Sequence, residues 1–140
     1  MRKTVLIAED DDVIRALLAE ELAACEPPIN VLPCADGVKA LALVRALRAA
    51  EQPVDLLALD VAMGVMDGDE VARAVREEEA AQGIAPVPIV FLSGMDRGDP
   101  RLQTALEVCR PAQHLDKRSC EDGREIARRL LELARQALCC

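Results

Sequence analysis

Five short apolar runs divide this chain, and the segments between them carry apolar residues at helical spacing. The runs begin near Thr4, Ile29, Val54, Pro88 and Gln113. Each interval between two runs has the pattern of a helix rather than of a hairpin turn. This alternation predicts βαβ units, and therefore a parallel sheet with helices on both faces.

The helical segments have recognisable first and last residues. We expect N-terminal caps at Asp12 for the first helix, Asp36 for the second, Asp99 with Pro100 for the fourth, and Ser119 with Asp122 for the fifth. The third helix should run from about Gly68 to Gln82 and stop at Gly83. Near its end, the run Glu77-Glu78-Glu79 is expected to be a solvent-exposed face.

Composition excludes several classes of function. A chain of 140 residues fits one domain, and we expect residues 1–140 to form that domain with no output domain attached. The net charge of −8 repels phosphate backbones, and Phe91 is the single aromatic residue available for base stacking. Direct nucleic-acid binding is therefore not expected. No apolar stretch reaches the ~18 residues of a membrane span, so we expect no membrane association.

Cysteine usage indicates the compartment. The six cysteines lack the spacing of a metal site, and no secretory signal precedes the first strand. We therefore expect a cytoplasmic protein with reduced thiols. The terminal pair Cys139-Cys140 is given no role.

Polar residues with catalytic chemistry stand where the apolar runs end. The first run ends in Glu9 and Asp10, the third in Asp60 and the fourth in Ser93, while Lys117 follows the fifth. Because the carboxyl ends of parallel strands open onto one shared crevice, we expect these side chains to lie close together. The sequence thus predicts a pocket of three carboxylates, a hydroxyl and an ammonium group.

Such a pocket favours a divalent cation. Two carboxylates 4 Å apart repel each other by about 4 kcal/mol at an effective dielectric constant near 20. Mg²⁺ prefers hard oxygen ligands and commonly bridges protein carboxylates to phosphoryl oxygens. Asp60 precedes a loop and is best placed to attack phosphorus, as carboxylates do when they form aspartyl phosphates. Lys117 and Ser93 would then stabilise the transferred group.

These segments, in this order, resemble the response-regulator receiver family of two-component signalling over residues 3 to 138. The resemblance implies a flavodoxin-like (βα)5 doubly wound fold, with a five-stranded parallel sheet in the order 2-1-3-4-5. The matching segments are Val5 to Asp10, Cys34 to Gly37, Leu57 to Met63, Met66 to Gly68, Pro88 to Ser93, and Lys117.

The resemblance also implies roles for individual residues. The expected roles are phosphorylation at Asp60, magnesium binding by Glu9, Asp10, Asp60 and the backbone carbonyl of Ala62, catalysis by Asp60, Lys117 and Ser93, and switching by Ser93 and His114. The phosphoryl group would come from a sensor histidine kinase or a histidine phosphotransfer protein. A single-domain receiver would then change its contacts with an unidentified downstream protein, and it would not be an enzyme acting on a separate substrate. Homodimer formation is left open.

Several positions depart from the family pattern. Arg118 replaces the usual proline, so the preceding peptide bond should be trans, because a non-proline cis bond costs ~3 kcal/mol. The loop Met63 to Met66 lacks the usual proline, which predicts a looser loop. His114 replaces the common tyrosine or phenylalanine with a ring of ordinary pKa near 6.5, and we hypothesise that it couples the output to pH.

Two further positions bear on the lifetime of a phosphorylated form. In the family, the residues two positions beyond the phosphoacceptor and two beyond the switch hydroxyl lie near the attacking water. Here these are Ala62 and Met95, and neither side chain can orient a water molecule. Slow self-dephosphorylation is therefore expected.

Two other functions remain as alternatives. One is a degenerate receiver that acts as a docking or dimerisation module without phosphorylation, which the departures at Arg118 and Gly64 favour modestly. The other is a haloacid-dehalogenase-like phosphatase, which also uses an aspartate nucleophile and Mg²⁺. That family requires a second aspartate two residues after the nucleophile, where this chain has Ala62. Turnover of a phosphate ester is therefore not expected.

Overall fold

The computed structural model describes residues 2–138 and forms a five-stranded parallel sheet with helices on both faces. The elements are β1 (Lys3–Ala8), α1 (Asp12–Ala23), β2 (Ile29–Cys34), α2 (Gly37–Ala49), β3 (Leu56–Asp60), α3 (Gly68–Gln82), β4 (Ile89–Ser93), α4 (Pro100–Val108), β5 (Ala112–Asp116) and α5 (Gly123–Leu138). The strand order is β2-β1-β3-β4-β5, and every pair is parallel. The predicted fold class is confirmed, and the pair Cys139-Cys140 lies outside the described residues.

The two faces of the sheet bury separate apolar clusters. Alternate residues of a strand point to opposite faces, so Phe91 of β4 packs with α2, α3 and α4, while Val90 and Leu92 pack with α1 and α5. Every residue of β3 and β4 is buried. Because apolar side chains fill the sheet interior, the polar groups of these two strands appear only at their carboxyl ends, at Asp60 and Ser93.

The strand register brings the polar residues to one level of the sheet edge. Glu9 directly follows β1, and Lys117 directly follows β5. The pairs at the carboxyl ends are Ala8 with Leu59, Asp60 with Leu92, and Ser93 with Asp116. Side chains that are far apart in sequence are thereby placed around one crevice.

Asp11, rather than Asp12, caps α1. Its Oδ1 accepts hydrogen bonds from the backbone amides of Val13 (2.9 Å) and Ile14 (3.0 Å), and its own backbone is extended. Asp12 is the first helical residue and forms an ion pair with Arg15 instead. The prediction was wrong by one residue because two adjacent aspartates both satisfy the cap preference.

The start of α5 also differs from the prediction. Ser119 lies in a short 3-10 turn, where its hydroxyl donates to the backbone carbonyl of Asp116 (2.7 Å). The amide of Glu125 donates to the Asp122 carboxylate (2.9 Å), so the capping interaction begins three residues later than Ser119. The turn occupies the serine hydroxyl, which is why Ser119 does not cap the helix.

The glutamate run at the end of α3 is not uniformly solvent-exposed, so that expectation was wrong. Glu79 is only 3% exposed, and its two oxygens bind the guanidinium of Arg76 and the amide of Val87, each at 2.7 Å. Glu78 pairs with Arg45 of α2 at 2.6 Å. Only Glu77 of the three is exposed, since the other two face neighbouring elements.

Other local predictions are confirmed. Asp36 caps α2 by accepting from the amide of Lys39 (2.8 Å), and Asp99 caps α4. The αL residue Gly83, with φ of +66°, ends α3. Within the described part of the chain, the cis peptide bonds precede Pro27 and Pro111, so the Lys117–Arg118 bond is trans. None of the helices formed by residues 2–138 is long and apolar enough to cross a membrane.

Removing the buried carboxylate of Glu79 should destabilise the fold. The Arg76 guanidinium would keep only its backbone carbonyl acceptors, and the Val87 amide would lose the Glu79 oxygen. Breaking such a buried pair costs about 3 kcal/mol. Urea unfolding should therefore show this loss for Glu79→Ala. The matched exposed substitution Glu77→Ala should change the free energy of unfolding by no more than about 0.5 kcal/mol. Equal effects of the two substitutions would contradict the structural role of the buried pair.

Candidate functional site

Three carboxylates converge at the carboxyl edge of the sheet. Glu9, Asp10 and Asp60 each offer one carboxylate oxygen, and these oxygens lie within 4.8 Å of one another. Glu9 is fully buried and Asp60 is 6% exposed, whereas Asp10 is exposed to solvent. The pocket therefore has a buried acidic floor and an open side through which a ligand can enter.

The ammonium group of Lys117 lies against the buried acids. Its Nζ is 2.5 Å from Oε1 of Glu9 and 3.3 Å from Oδ2 of Asp60. Burial alone would lower the pKa of Lys117, but its contacts with Glu9 and Asp60 outweigh burial and raise that pKa. Lys117 is therefore positively charged at neutral pH, and it offsets part of the negative charge of the pocket.

Asp60 is held in an environment that disfavours its charge. Burial, together with the neighbouring Glu9 carboxylate, raises the pKa of Asp60 to about 8, although Lys117 acts in the opposite direction. The Asp60 Oδ1 accepts a hydrogen bond from the Ala62 amide (3.3 Å). Gly68, at the start of α3, packs so closely that a Cβ there would lie 2.2 Å from the Asp60 carbonyl oxygen. The backbone at Asp60 is thus fixed by a contact that only glycine permits.

Ser93 lies at the same sheet edge and is 2% exposed. Its Oγ accepts a hydrogen bond from the backbone amide of Met95 (2.8 Å), which leaves the hydroxyl hydrogen available to a ligand. Ser93 is opposite Asp116 in the sheet, immediately before Lys117. The structure therefore places this hydroxyl beside the strand end that carries the ammonium group.

His114 lies on β5, opposite Phe91, and is half-buried. Among the residues that the structure describes, its Nε2 has no hydrogen-bond partner. Burial is the main reason that the pKa of His114 is lowered, against the opposing effect of Asp116. The ring is therefore neutral at neutral pH, and any pH response from it falls on the acidic side of its ordinary range.

Hydrogen bonds join the two ends of the loop that follows Asp60, while its tip is exposed. The Oδ1 atom of Asp67 accepts hydrogen bonds from the amides of Met63 (2.7 Å) and Gly64 (2.9 Å). Bonding to Arg101 is the largest cause that lowers the pKa of Asp67, so this carboxylate is ionised at neutral pH. Val65, at the tip of the loop, is 94% exposed. The hydrogen bonds of Asp67 thus fix the ends of the loop and leave its tip exposed.

Sequence reasoning missed Asp69 and Arg101, which also belong to this region. Asp69 is 6% exposed in the first turn of α3, and the guanidinium of Arg101 in α4 binds both of its carboxylate oxygens. A signal was present in the sequence, because Asp69, Arg76 and Glu79 recur at the spacing of the buried face of α3. No sequence rule, however, pairs residues 69 and 101.

In a metal-free solution, Asp60→Asn should stabilise the chain, and more so at higher pH. The unfolded chain releases the Asp60 proton near its ordinary pKa of 3.8, whereas the folded chain retains it up to about 8. The free energy of unfolding therefore falls as pH rises through that window. With a chelator present, the gain in Tm for Asp60→Asn should be larger at about pH 8 than at about pH 5.

The exposed substitution Asp12→Asn is the control for this experiment, since that side chain is 86% exposed. It should give the same Tm difference at both pH values. An Asp60→Asn gain that does not grow with pH would contradict the electrostatic account of the pocket.

Comparisons with curated proteins agree with this geometry. The family model for the response regulator receiver domain matches residues 5–132. The chain is 34% identical over 107 residues to protein-glutamate methylesterase/protein-glutamine glutaminase 4 of Myxococcus xanthus, covering 76% of this chain and 26% of that protein. It is 36% identical over 90 residues to the transcriptional regulatory protein AfsQ1 of Streptomyces coelicolor, covering 64% and 34%. The chain thus spans about a quarter to a third of the length of these relatives.

Comparisons with solved structures show the same fold. The phosphorylated cyanobacterial phytochrome response regulator RcpA matches with a TM-score of 0.82 at 20% identity, covering 99% of this chain and 96% of that one. The receiver domain of the Arabidopsis thaliana histidine kinase CKI1, solved with Mg²⁺ and BeF3-, matches with a TM-score of 0.66 at 26% identity, covering 94% and 90%. The solved structures thus share the fold, and the family match over residues 5–132 shows that the chain belongs to the response-regulator receiver family of two-component systems.

Proposed function

We propose that this receiver accepts a phosphoryl group on Asp60 in a Mg²⁺-dependent reaction. The donor would be a phosphohistidine of a sensor histidine kinase or of a histidine phosphotransfer protein. The observation that carries the proposal is the convergence of three carboxylate oxygens within 4.8 Å, with the Lys117 ammonium 3.3 Å from Asp60. A docking module that never reacts has no need for this arrangement of charge.

The donor set fits magnesium. Glu9 and Asp60 at the buried floor of the pocket and Asp10 at its open side provide hard oxygen ligands, and the Ala62 carbonyl is the fourth candidate ligand. The raised pKa of Asp60 reflects burial and the proximity of Glu9, and a bound cation would relieve that repulsion. When bound at these residues, Mg²⁺ supplies positive charge that neutralises the oxygens of the transferring phosphoryl group.

The chain's own residues would perform the transfer as a nucleophilic displacement. A carboxylate oxygen of Asp60 forms the new P–O bond while the P–N bond to the donor histidine breaks. The electron pair of that bond remains on the ring nitrogen, and the donor leaves as neutral imidazole when its other nitrogen carries a proton. Lys117 places a positive charge beside the phosphoryl oxygens, and the free hydroxyl hydrogen of Ser93 can donate to one of them.

The consequence of phosphorylation would be a changed protein-binding surface. We propose that Ser93 and His114, which lie on the neighbouring strands β4 and β5, communicate the modification to that surface. The downstream partner is a protein, and the domain would work in the cytoplasm without turning over a separate substrate. The methylesterase and transcriptional activities of the longer relatives belong to those whole proteins, of which this chain matches only about a quarter to a third.

Asp60→Asn should abolish phosphorylation. Acetyl phosphate with Mg²⁺ should add one phosphoryl group to the native chain, detectable by mass spectrometry of the intact protein. The group should be labile in base, as an acyl phosphate is, and should be absent from Asp60→Asn because the amide is not a nucleophile. Asp12→Asn, which changes an exposed acid, should be labelled like the native chain. Labelling that persists in Asp60→Asn would assign the reaction to another acid.

The phosphorylated form should hydrolyse slowly. Ala62 is exposed beside Asp60, and its methyl group cannot orient an attacking water molecule. After removal of the donor, the phosphorylated chain should persist for minutes or longer when it is followed by mass spectrometry. Ala62→Glu, which adds a carboxylate at this position, should shorten that lifetime. Decay of the native phosphorylated chain within seconds would contradict the prediction.

A further inference from the structure

An ionic network with one buried member, Asp69, joins α4 to the start of α3. The guanidinium of Arg101 binds Asp69 with two parallel hydrogen bonds, Nε to Oδ2 at 2.8 Å and Nη2 to Oδ1 at 2.7 Å. The same Nη2 also binds Oδ2 of Asp67 at 2.7 Å. Asp69 is almost fully buried, so its charge requires this partner. Charge-assisted pairs of this bidentate kind restrict direction as well as distance.

The network continues from Asp67 into the loop that follows Asp60. While Oδ2 of Asp67 binds Arg101, Oδ1 accepts the amides of Met63 and Gly64. These two residues come directly after Ala62, whose amide binds Asp60 and whose carbonyl is a candidate magnesium ligand. A continuous set of hydrogen bonds therefore runs from α4 to the backbone beside the nucleophile.

We infer that Arg101 is a positioning residue for the phosphoacceptor site, because it fixes Asp67 and through it the orientation of the Ala62 backbone. This inference rests on the proposed function of Asp60. Arg101 touches neither the carboxylate pocket nor an incoming phosphoryl group by itself. Arg101 affects the reaction only through the loop. A planar guanidinium is suited to this role because one group must hold the carboxylates of Asp67 and Asp69 in fixed directions.

The same hydrogen bonds link the start of α4 to the loop after Asp60. This helix begins seven residues after Ser93, and Arg101 is its second residue. A partner that displaces the start of α4 would therefore disturb the loop beside Asp60, and a change in that loop would be transmitted to α4. Such coupling between two sites is reciprocal.

The test compares Arg101→Gln with Arg45→Gln as a matched control. Arg45 also binds a carboxylate of α3 from another helix, with Nη2 2.6 Å from Oε2 of Glu78, but its described contacts do not include the loop after Asp60. Both substitutions remove a cross-helix guanidinium pair. Only the first should affect the amides of Met63 and Gly64.

The first readout is hydrogen exchange of individual backbone amides by NMR, without metal or phosphodonor. Exchange at Met63 and Gly64 should accelerate about tenfold or more in Arg101→Gln and stay unchanged in Arg45→Gln. This measurement does not depend on phosphorylation, so it tests the network even if the proposed function fails. Unchanged exchange at both amides in Arg101→Gln would overturn the inference.

The second readout is Mg²⁺ affinity and the rate of phosphorylation by acetyl phosphate, measured well below the Tm of each variant. Loss of a residue that orients a metal ligand typically weakens metal affinity by about tenfold or more, and we expect this for Arg101→Gln. A purely structural role would lower the Tm and leave the affinity of the folded chain unchanged, which would also overturn the inference. If Arg101→Gln does not fold, Arg101→Lys replaces it in both measurements. Lysine keeps the positive charge but cannot form the two parallel hydrogen bonds to Asp69, so it should show the same changes in smaller degree.

Discussion

The close approach of Glu9 and Asp60 is the constraint on which the rest of the site depends. Two acidic groups are held side by side in a pocket from which most water is excluded, and the single Lys117 ammonium can offset the charge of only one of them. Isolated side chains would separate. The apolar strands β1 and β3 keep them together, because the register that pairs Ala8 with Leu59 fixes where each strand ends. The buried sheet thus holds together two acids whose mutual repulsion, with burial, keeps a proton on Asp60 at neutral pH in the metal-free chain.

In the proposed function, this repulsion makes the site selective for a cation and a phosphoryl group. A cation would be attracted to the pocket, and a phosphoryl group would approach Asp60 only together with positive charge. Lys117 would provide a permanent part of that charge, and a bound cation would provide the remainder. The loop after Asp60 completes the arrangement, since Asp67 holds its backbone and Arg101 holds Asp67. The Asp60 side chain is therefore supported on one side by the sheet and on the other, through the loop, by the start of α4.

Sequence reasoning succeeded where the determinants are local. Buried apolar strands and the polar residues at their ends are adjacent in sequence, so the fold and the acidic pocket could be predicted, as could the end of α3 at Gly83. It failed where two neighbouring residues can fill the same role, as Asp11 and Asp12 can at the start of α1. It also failed where the residue that binds a side chain is distant in sequence. Glu79 and Asp69 are such cases: each looks like a surface acid until the three-dimensional structure brings an arginine or a backbone amide to it. The Asp67 contacts that join the ends of the loop after Asp60 could not be inferred for the same reason, and the expected looseness of this loop stays a prediction.

Whether Glu9, Asp10 and Asp60 form one cation site can be measured by an NMR titration of the metal-free chain with Mg²⁺. We expect saturable chemical-shift changes with one-to-one stoichiometry, centred on Glu9, Asp10 and the segment from Asp60 to Ala62. Substitution of Asp10 by asparagine should weaken the binding without moving its location. Shifts that do not saturate, or that are centred on another part of the chain, would contradict the account.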